Sequence, residues 1–169
     1  LFAQSRRFSI PVSVLGSLAY GFSSYYIIIL MVGHNTKAMA LAYAPLIFLG
    51  LFQVLIDKKK WGFVWLTLGL ALQLHANHLQ MTYYTLIMVV ISALFWSIWT
   101  WRKNDIRSVL RPVAKIITAG ILALLLNAQG VLATLEYTAF STRSASELSI
   151  NADGSPKEAT SGLSFDYIT

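Results

Sequence analysis

Long runs without a charged residue constrain this chain more than any other feature. No Lys, Arg, Asp or Glu lies between Arg7 and Lys37, or between Lys37 and Asp57, and the run from Lys60 to Arg102 is longer still. A bilayer core of about 30 Å is crossed by about 20 apolar residues in a helix. Charged residues make up only 12% of the chain, about half of what a soluble domain uses to cover its surface. The sequence therefore predicts an all-α integral membrane protein.

The charge-free run at residues 61–101 is too long for one span. As a single helix it would measure about 60 Å, twice the thickness of the membrane core. The chain must turn back within it, and we expect the turn at the polar residues 75–80. Together with the other runs, this predicts a region of about five transmembrane helices over residues 1–135, near residues 8–32, 38–56, 61–74, 81–101 and 112–135.

The distribution of positive charge indicates how these helices are oriented. If successive loops alternate across the membrane, ten of the thirteen Lys and Arg residues fall on one side. Such a bias marks the cytoplasmic side. Residues 136–169, which are rich in Ser and Thr, are then expected to form an extracytoplasmic loop. Because the basic residues are explained by topology, we expect membrane lipid as a partner and no nucleic acid.

Three polar segments are predicted to meet on the extracytoplasmic side, at residues 33–37, 75–84 and 136–143. All three histidines of the chain lie in the first two segments. A cavity that joined Lys37 and Arg143 with imidazoles would favour an anion such as a phosphate or diphosphate. The candidate substrate-binding residues are His34, Asn35, Lys37, His75, Asn77, His78, Gln80 and Arg143.

Each of these side chains also has a purely structural explanation. His75 and His78 fit equally well as turn residues that hydrogen-bond backbone carbonyls. Lys37 alone is typical of an anchor that extends towards water, and Arg143 alone is typical of an ion pair within a loop. No cofactor is indicated. We expect no metal site, because the chain has no cysteine and no carboxylate stands at ligand spacing from the histidines, although a need for a divalent metal elsewhere stays open.

The polar segments resemble those of YfhO-type bacterial membrane proteins. The resemblance covers nearly the whole chain, and the string LHANHLQMTYY is its most specific part because a polar and aromatic string is harder to match by chance than an apolar one. The matching segments are GHNTKA at 33–38, LHANHLQMTYY at 74–84, EY at 136–137, STR at 141–143, TSGL at 160–163 and DYIT at 166–169.

This resemblance implies one part of a larger bundle, similar to C-type glycosyltransferases, in the bacterial cytoplasmic membrane. The partners it implies are a polyprenyl-phosphate-linked sugar and the rest of the same polypeptide. Such enzymes transfer a sugar on the extracytoplasmic face, usually with an acidic base in the first extracytoplasmic loop. Residues 33–37 contain no Asp or Glu. We therefore expect the main catalytic base upstream of Leu1, with Glu136 as a local candidate.

Two other classes of function are compatible with the sequence. A transporter or flippase of a lipid-linked or anionic substrate would use helices that are broken at membrane depth, and Pro45 and the turn near His75 suit such a protein. A non-catalytic subunit of a surface-assembly complex is the third possibility.

Overall fold

A computed structural model describes residues 2–103 and 106–140 of the chain. Within these ranges all regular secondary structure is helical, and the prediction of an all-α membrane protein is confirmed. The chain divides into two units, Leu1–Ala128 and Gln129–Thr169, and each is described by itself. The helices are α1 (Phe2–Ser5), α2 (Ile10–Gly21), α3 (Ser24–Met31), α4 (Asn35–Leu55), α5 (Trp61–His75), α6 (Leu79–Trp101), α7 (Arg107–Leu126) and α8 (Ala128–Phe140).

Four helical stretches among the described residues are long and apolar enough to cross a membrane. They are Ile10–Met31, Asn35–Leu55, Leu79–Trp101 and Arg107–Leu126. The predicted third span is helical too, but α5 has only 15 residues. Its length is about 22 Å, less than the about 30 Å of a bilayer core. Of the five predicted spans, four are therefore long enough and one is a short helix.

The last predicted span, at 112–135, differs most from the structure. Helix α7 ends at Leu126, because the side chain of Asn127 donates hydrogen bonds to the carbonyl oxygens of Ala123 and Ala71, both at 3.0 Å. A side chain that bonds to nearby backbone in this way competes with helix continuation. Helix α8 then extends to Phe140, so residues 136–140 are helical where a loop was expected. The remainder of that predicted loop, with Arg143, lies outside the described residues.

The antiparallel pair of α4 and α5 is the centre of the first unit. Its backbones approach so closely that a Cβ atom on Gly50 would lie 2.2 Å from the amide nitrogen of Leu66, and one on Gly69 would lie 2.9 Å from the side chain of Ile47. Glycine at such contacts lets membrane helices pack backbone against backbone. Leu51 and Leu66 are fully buried in the core of this pair.

Helix α7 completes the core with alanines, since Ala119 and Ala123 pack into the same apolar cluster. All the long stretches other than α4 are sparsely covered, and even in Arg107–Leu126 only 22% of the apolar window is buried. Only 6% of the apolar window in Ile10–Met31 is buried, and 17% of that in Leu79–Trp101, compared with 50% in Asn35–Leu55. The first unit therefore has a packed core of α4, α5 and α7, while α2, α3 and α6 present apolar surface outwards.

Candidate functional site

The turn between α5 and α6 is the polar segment that the sequence singled out most strongly. It is shorter than predicted, because α5 runs through His75 and α6 begins at Leu79. Asn77 adopts a positive φ of 51°, a conformation that Asn accepts more readily than most residues. His78 is the N-cap residue of α6, and its Nδ1 atom accepts a hydrogen bond from the backbone N–H of Met81 at 3.3 Å. His78 therefore has a structural role in closing the turn.

Behind the turn, Gln73 joins the two helices of the hairpin. Its Nε2 atom donates to the hydroxyl oxygen of Thr85 at 2.8 Å and to the carbonyl oxygen of Met81 at 3.3 Å. The side chain is 1% exposed, and its Oε1 atom has no hydrogen-bond partner among the described residues. The sequence analysis missed Gln73. The signal was there, since it is a single amide within an otherwise apolar helix.

Three side chains of the segment point away from the core. His75, Asn77 and Gln80 are exposed. Gln80 donates a hydrogen bond from Nε2 to the hydroxyl of Tyr84 at 3.2 Å, whereas no side-chain bond is described for His75 or Asn77. The two histidines of the turn thus differ, since His78 is engaged as a cap and His75 presents its imidazole outwards.

The register of α4 and α5 gives the depth of this turn. Gly69 lies against Ile47. Six residues further along α5 is His75, and six residues back along α4 is Leu41, so these two residues lie at about the same level. Helix α4 begins another six residues away, at Asn35, which is about 9 Å at 1.5 Å per residue. The turn is therefore recessed by about 9 Å relative to the start of α4.

Two more interruptions of helices lie close to the same level. Tyr20 donates a hydrogen bond from its hydroxyl to the carbonyl oxygen of Leu41 at 2.8 Å, just before the break at Phe22–Ser23 that separates α2 from α3. Asn127, where α7 ends, bonds to Ala71, one helical turn from His75. We call this the interruption level. It comprises the α2–α3 break, the α5–α6 turn and the end of α7, and sequence analysis predicted only the turn.

The first polar segment lies further out and is not joined to the turn. His34 and Asn35 are exposed at the start of α4, and the His34 side chain makes no capping hydrogen bond there. The ammonium of Lys37 lies 5.2 Å from the centre of the Tyr25 ring in α3. This is a cation–π contact. The structure thus pairs Lys37 with Tyr25 rather than with the histidines of the turn.

Carboxylates and metal ligands are scarce in the described part of the chain. No group of three His, Cys, Asp or Glu residues there could hold a metal ion. Asp57 lies at the opposite end of α4 and pairs with Arg6, and Glu136 is exposed on α8 in the second unit. The described residues around the turn can therefore donate hydrogen bonds to an anion, but they include no carboxylate that could act as a base.

A comparison with protein families identifies a match. The family model described as "Bacterial membrane protein YfhO" matches residues 1–156, which confirms the resemblance seen in the polar segments. No curated protein and no solved structure matches the chain significantly.

Proposed function

Because the chain belongs to the YfhO family of bacterial membrane proteins, we propose that it forms one wall of a membrane glycosyltransferase. The enzyme would take sugars from a polyprenyl-phosphate carrier at the extracytoplasmic face of the cytoplasmic membrane. The observation that carries this proposal is the depth of the α5–α6 turn, which is recessed by about 9 Å from the start of α4. Polar side chains at that depth need water or a polar ligand as a partner.

Polar groups at membrane depth are costly unless they face protein or a water-filled cavity. His75 and Asn77 are exposed at this depth and have no described side-chain partner. The outward faces of α2, α3 and α6 are also left uncovered. These features support a cavity that the rest of the polypeptide completes. A polyprenyl phosphate could enter such a cavity sideways, with its chain in lipid and its phosphate at the turn.

The orientation of the cavity is supported by charge. The end of the first unit opposite the turn carries the basic residues, and an excess of Lys and Arg favours the cytoplasmic side. The basic residues at this end are Arg6, Arg7, Lys58, Lys59, Lys60, Arg102, Lys103, Arg107, Arg111 and Lys115. The interruption level would then open to the extracytoplasmic side, where lipid-linked sugars are used.

In the proposed reaction, an acceptor hydroxyl attacks the anomeric carbon of the lipid-linked sugar. The bond from that carbon to the carrier phosphate breaks, and the phosphate leaves with the bonding electrons. A carboxylate takes the proton of the acceptor. His75, Asn77 and Gln80 are suited to hydrogen-bond the phosphate and to stabilise the charge that it gains. His78 would hold the turn in place by capping α6.

The remaining predicted site residues have supporting places in this proposal. His34, Asn35 and Lys37 would lie at the entrance, outward of the turn. Arg143 lies outside the described residues, and its part in binding an anion stays a prediction. Glu136 stays a local candidate for the base, with the main base expected in another part of the polypeptide.

A transporter or flippase is the second candidate, and one observation favours it. The α2–α3 break and the end of α7 lie near the level of the recessed turn, and broken helices at membrane depth are how many transporters bind their substrates. Sealed proteoliposomes separate the two functions. Transfer of sugar to an acceptor on the same side, without any gradient, supports the enzyme. Movement of an unchanged lipid-linked sugar to the other leaflet supports the flippase.

The first test is mass spectrometry of the lipid that stays bound to the natural polypeptide in lipid nanodiscs. We expect the wild type to retain a polyprenyl phosphate, and His75→Ala and Gln80→Ala to lose most of it. His34→Ala removes the same kind of side chain at the entrance and should cost much less. Bound lipid that is ordinary phospholipid in all four proteins would contradict the proposal.

A further inference from the structure

A basic groove lies between α5 and α7, at the end of the first unit opposite the turn. It has a volume of about 430 Å³ and is lined by Lys60, Phe63, Ala114, Lys115 and Thr118. Phe63 is half-buried, while both lysines are exposed. The groove therefore combines two cations with an apolar wall.

The two ammonium groups in this groove are available to a ligand. No ion pair or hydrogen bond of the Lys60 or Lys115 ammonium is found within the described residues. The nearby carboxylate of Asp57 is engaged by Arg6, and the hydroxyl of Thr118 donates to its own helix, to the carbonyl oxygen of Ala114 at 2.9 Å. Recognition of an anion here would rest on the lysines.

Like charges accumulate around the groove. Arg107, Arg111 and Lys115 follow one another at intervals of four along α7, so they share one face of the helix, where like charges repel. Lys60 stands at the N-cap of α5, the positive end of that helix dipole. An anion placed between α5 and α7 would relieve both sources of repulsion.

We propose that this groove binds the headgroup of an anionic phospholipid, with Lys60 and Lys115 holding its phosphate. Phe63 and Ala114 provide apolar surface for the start of the acyl chains. The position also fits, since basic pockets between membrane helices near the cytoplasmic surface are suited to anionic headgroups. A free phosphate ion would use the lysines but would gain nothing from the apolar wall, so a lipid is the better occupant.

The test measures how much phosphatidylglycerol the protein retains from nanodiscs that contain equal parts of phosphatidylglycerol and phosphatidylcholine. In the double variant Lys60→Gln/Lys115→Gln, retention should fall about fivefold for each lysine removed. The control Lys58→Gln/Lys59→Gln removes the same charge from the same end but outside the groove, and its retention should stay within about twofold of wild type.

Two further arms keep the proposal open to refutation. Lys60→Arg/Lys115→Arg retains both cations and should retain the lipid, which separates lost binding from lost folding. A wash with excess inorganic phosphate should leave phosphatidylglycerol in place. Equal losses in the groove and control pairs would show general attraction of anions to a basic end, and displacement by inorganic phosphate would show a site for free phosphate. Either result would overturn the proposal.

Discussion

The packed half of the α4–α5 pair is built from glycine and apolar residues, whereas the interruption level is built around polar residues. In the packed half, glycines bring the helices together, and Leu51 and Leu66 are fully buried. At the interruption level, helices end at Asn127 and at the turn after His75. Some polar side chains there form hydrogen bonds, and others have no described partner. The difference indicates that close packing fixes the positions of the helices in one region, while polar residues end the helices in the other.

The largest expected effect comes from adding one methyl group to the packed half. In Gly50→Ala the new Cβ would lie 2.2 Å from the backbone nitrogen of Leu66, and backbone cannot move aside as a side chain can. We expect a loss of about 3 kcal/mol in the free energy of unfolding, or failure to fold. Gly120→Ala is the matched control on α7, where no atom of the described residues lies within 4 Å of the added atom.

Thermal unfolding in detergent would measure both variants. Gly120→Ala should be neutral or slightly stabilising, because alanine favours a helix over glycine by about 1 kcal/mol. If Gly50→Ala behaved like Gly120→Ala, the close approach of α4 and α5 would be wrong, and with it the depth assigned to the turn.

A smaller effect is expected from the cap of the recessed turn. His78→Ala removes the acceptor for the Met81 N–H and should destabilise the protein by about 1 kcal/mol. His78→Asn should restore most of this stability, since Asn is a favoured N-cap residue. The measurement is thermal unfolding together with retention of bound polyprenyl phosphate. If His78→Asn recovered neither stability nor bound lipid, the capping role would be refuted.

The polar link behind the turn should contribute a similar or slightly smaller amount. Gln73→Leu removes the hydrogen bonds to Thr85 and Met81, and hydrogen bonds between membrane helices are worth about 0.6 kcal/mol on average. Gln80→Leu is the comparison, because that amide is exposed and, among the described residues, hydrogen-bonds to Tyr84 alone. Urea or detergent unfolding should rank Gln73→Leu as the more destabilised variant, and the reverse order would contradict the assigned packing.

The smallest effect is expected at the basic end, where Arg6 pairs with Asp57 and also lies 5.4 Å from the centre of the Phe52 ring. The paired side chains are about one-fifth exposed, at 20% and 19%. A partly exposed ion pair is worth about 1 kcal/mol or less. Asp57→Asn should lower the melting temperature only slightly, and less at high salt. A loss as large as that of Gly50→Ala would mean that this ion pair, rather than the glycine packing, fixes the basic end.

Much of the fold could be predicted from the sequence, because charge-free runs and polar breaks are local features. The charge-free runs predicted the helices, and the polar segment around His75 predicted the turn. The packing between helices could not be predicted in this way, because it depends on residues that are far apart in the sequence. Gly16 and Gly50 both stand in apolar runs, yet no described atom lies within 4 Å of a Cβ on Gly16. By contrast, the short length of α5 was predicted, since the span was placed at residues 61–74 and the helix ends at His75.

The candidate site was predicted only in part, for the same reason. Lys37 was expected to join the histidines, but its ammonium packs on Tyr25, a contact that no spacing in the sequence encodes. Gln73 was not recognised as a link to α6, because an isolated amide in an apolar run does not indicate its partner. The place of Arg143 in the site stays a prediction.

The most direct test of a polar cavity at the interruption level is labelling of single cysteines in intact cells with a thiol reagent that does not cross the membrane. The 169 residues of the sequence include no cysteine. Asn35→Cys marks the entrance, and Ile91→Cys marks an exposed apolar position on α6 that faces outwards. We predict that His75→Cys is labelled, and more slowly than Asn35→Cys. If His75→Cys stayed as unreactive as Ile91→Cys, the turn would not open to a cavity and the proposed site would be refuted.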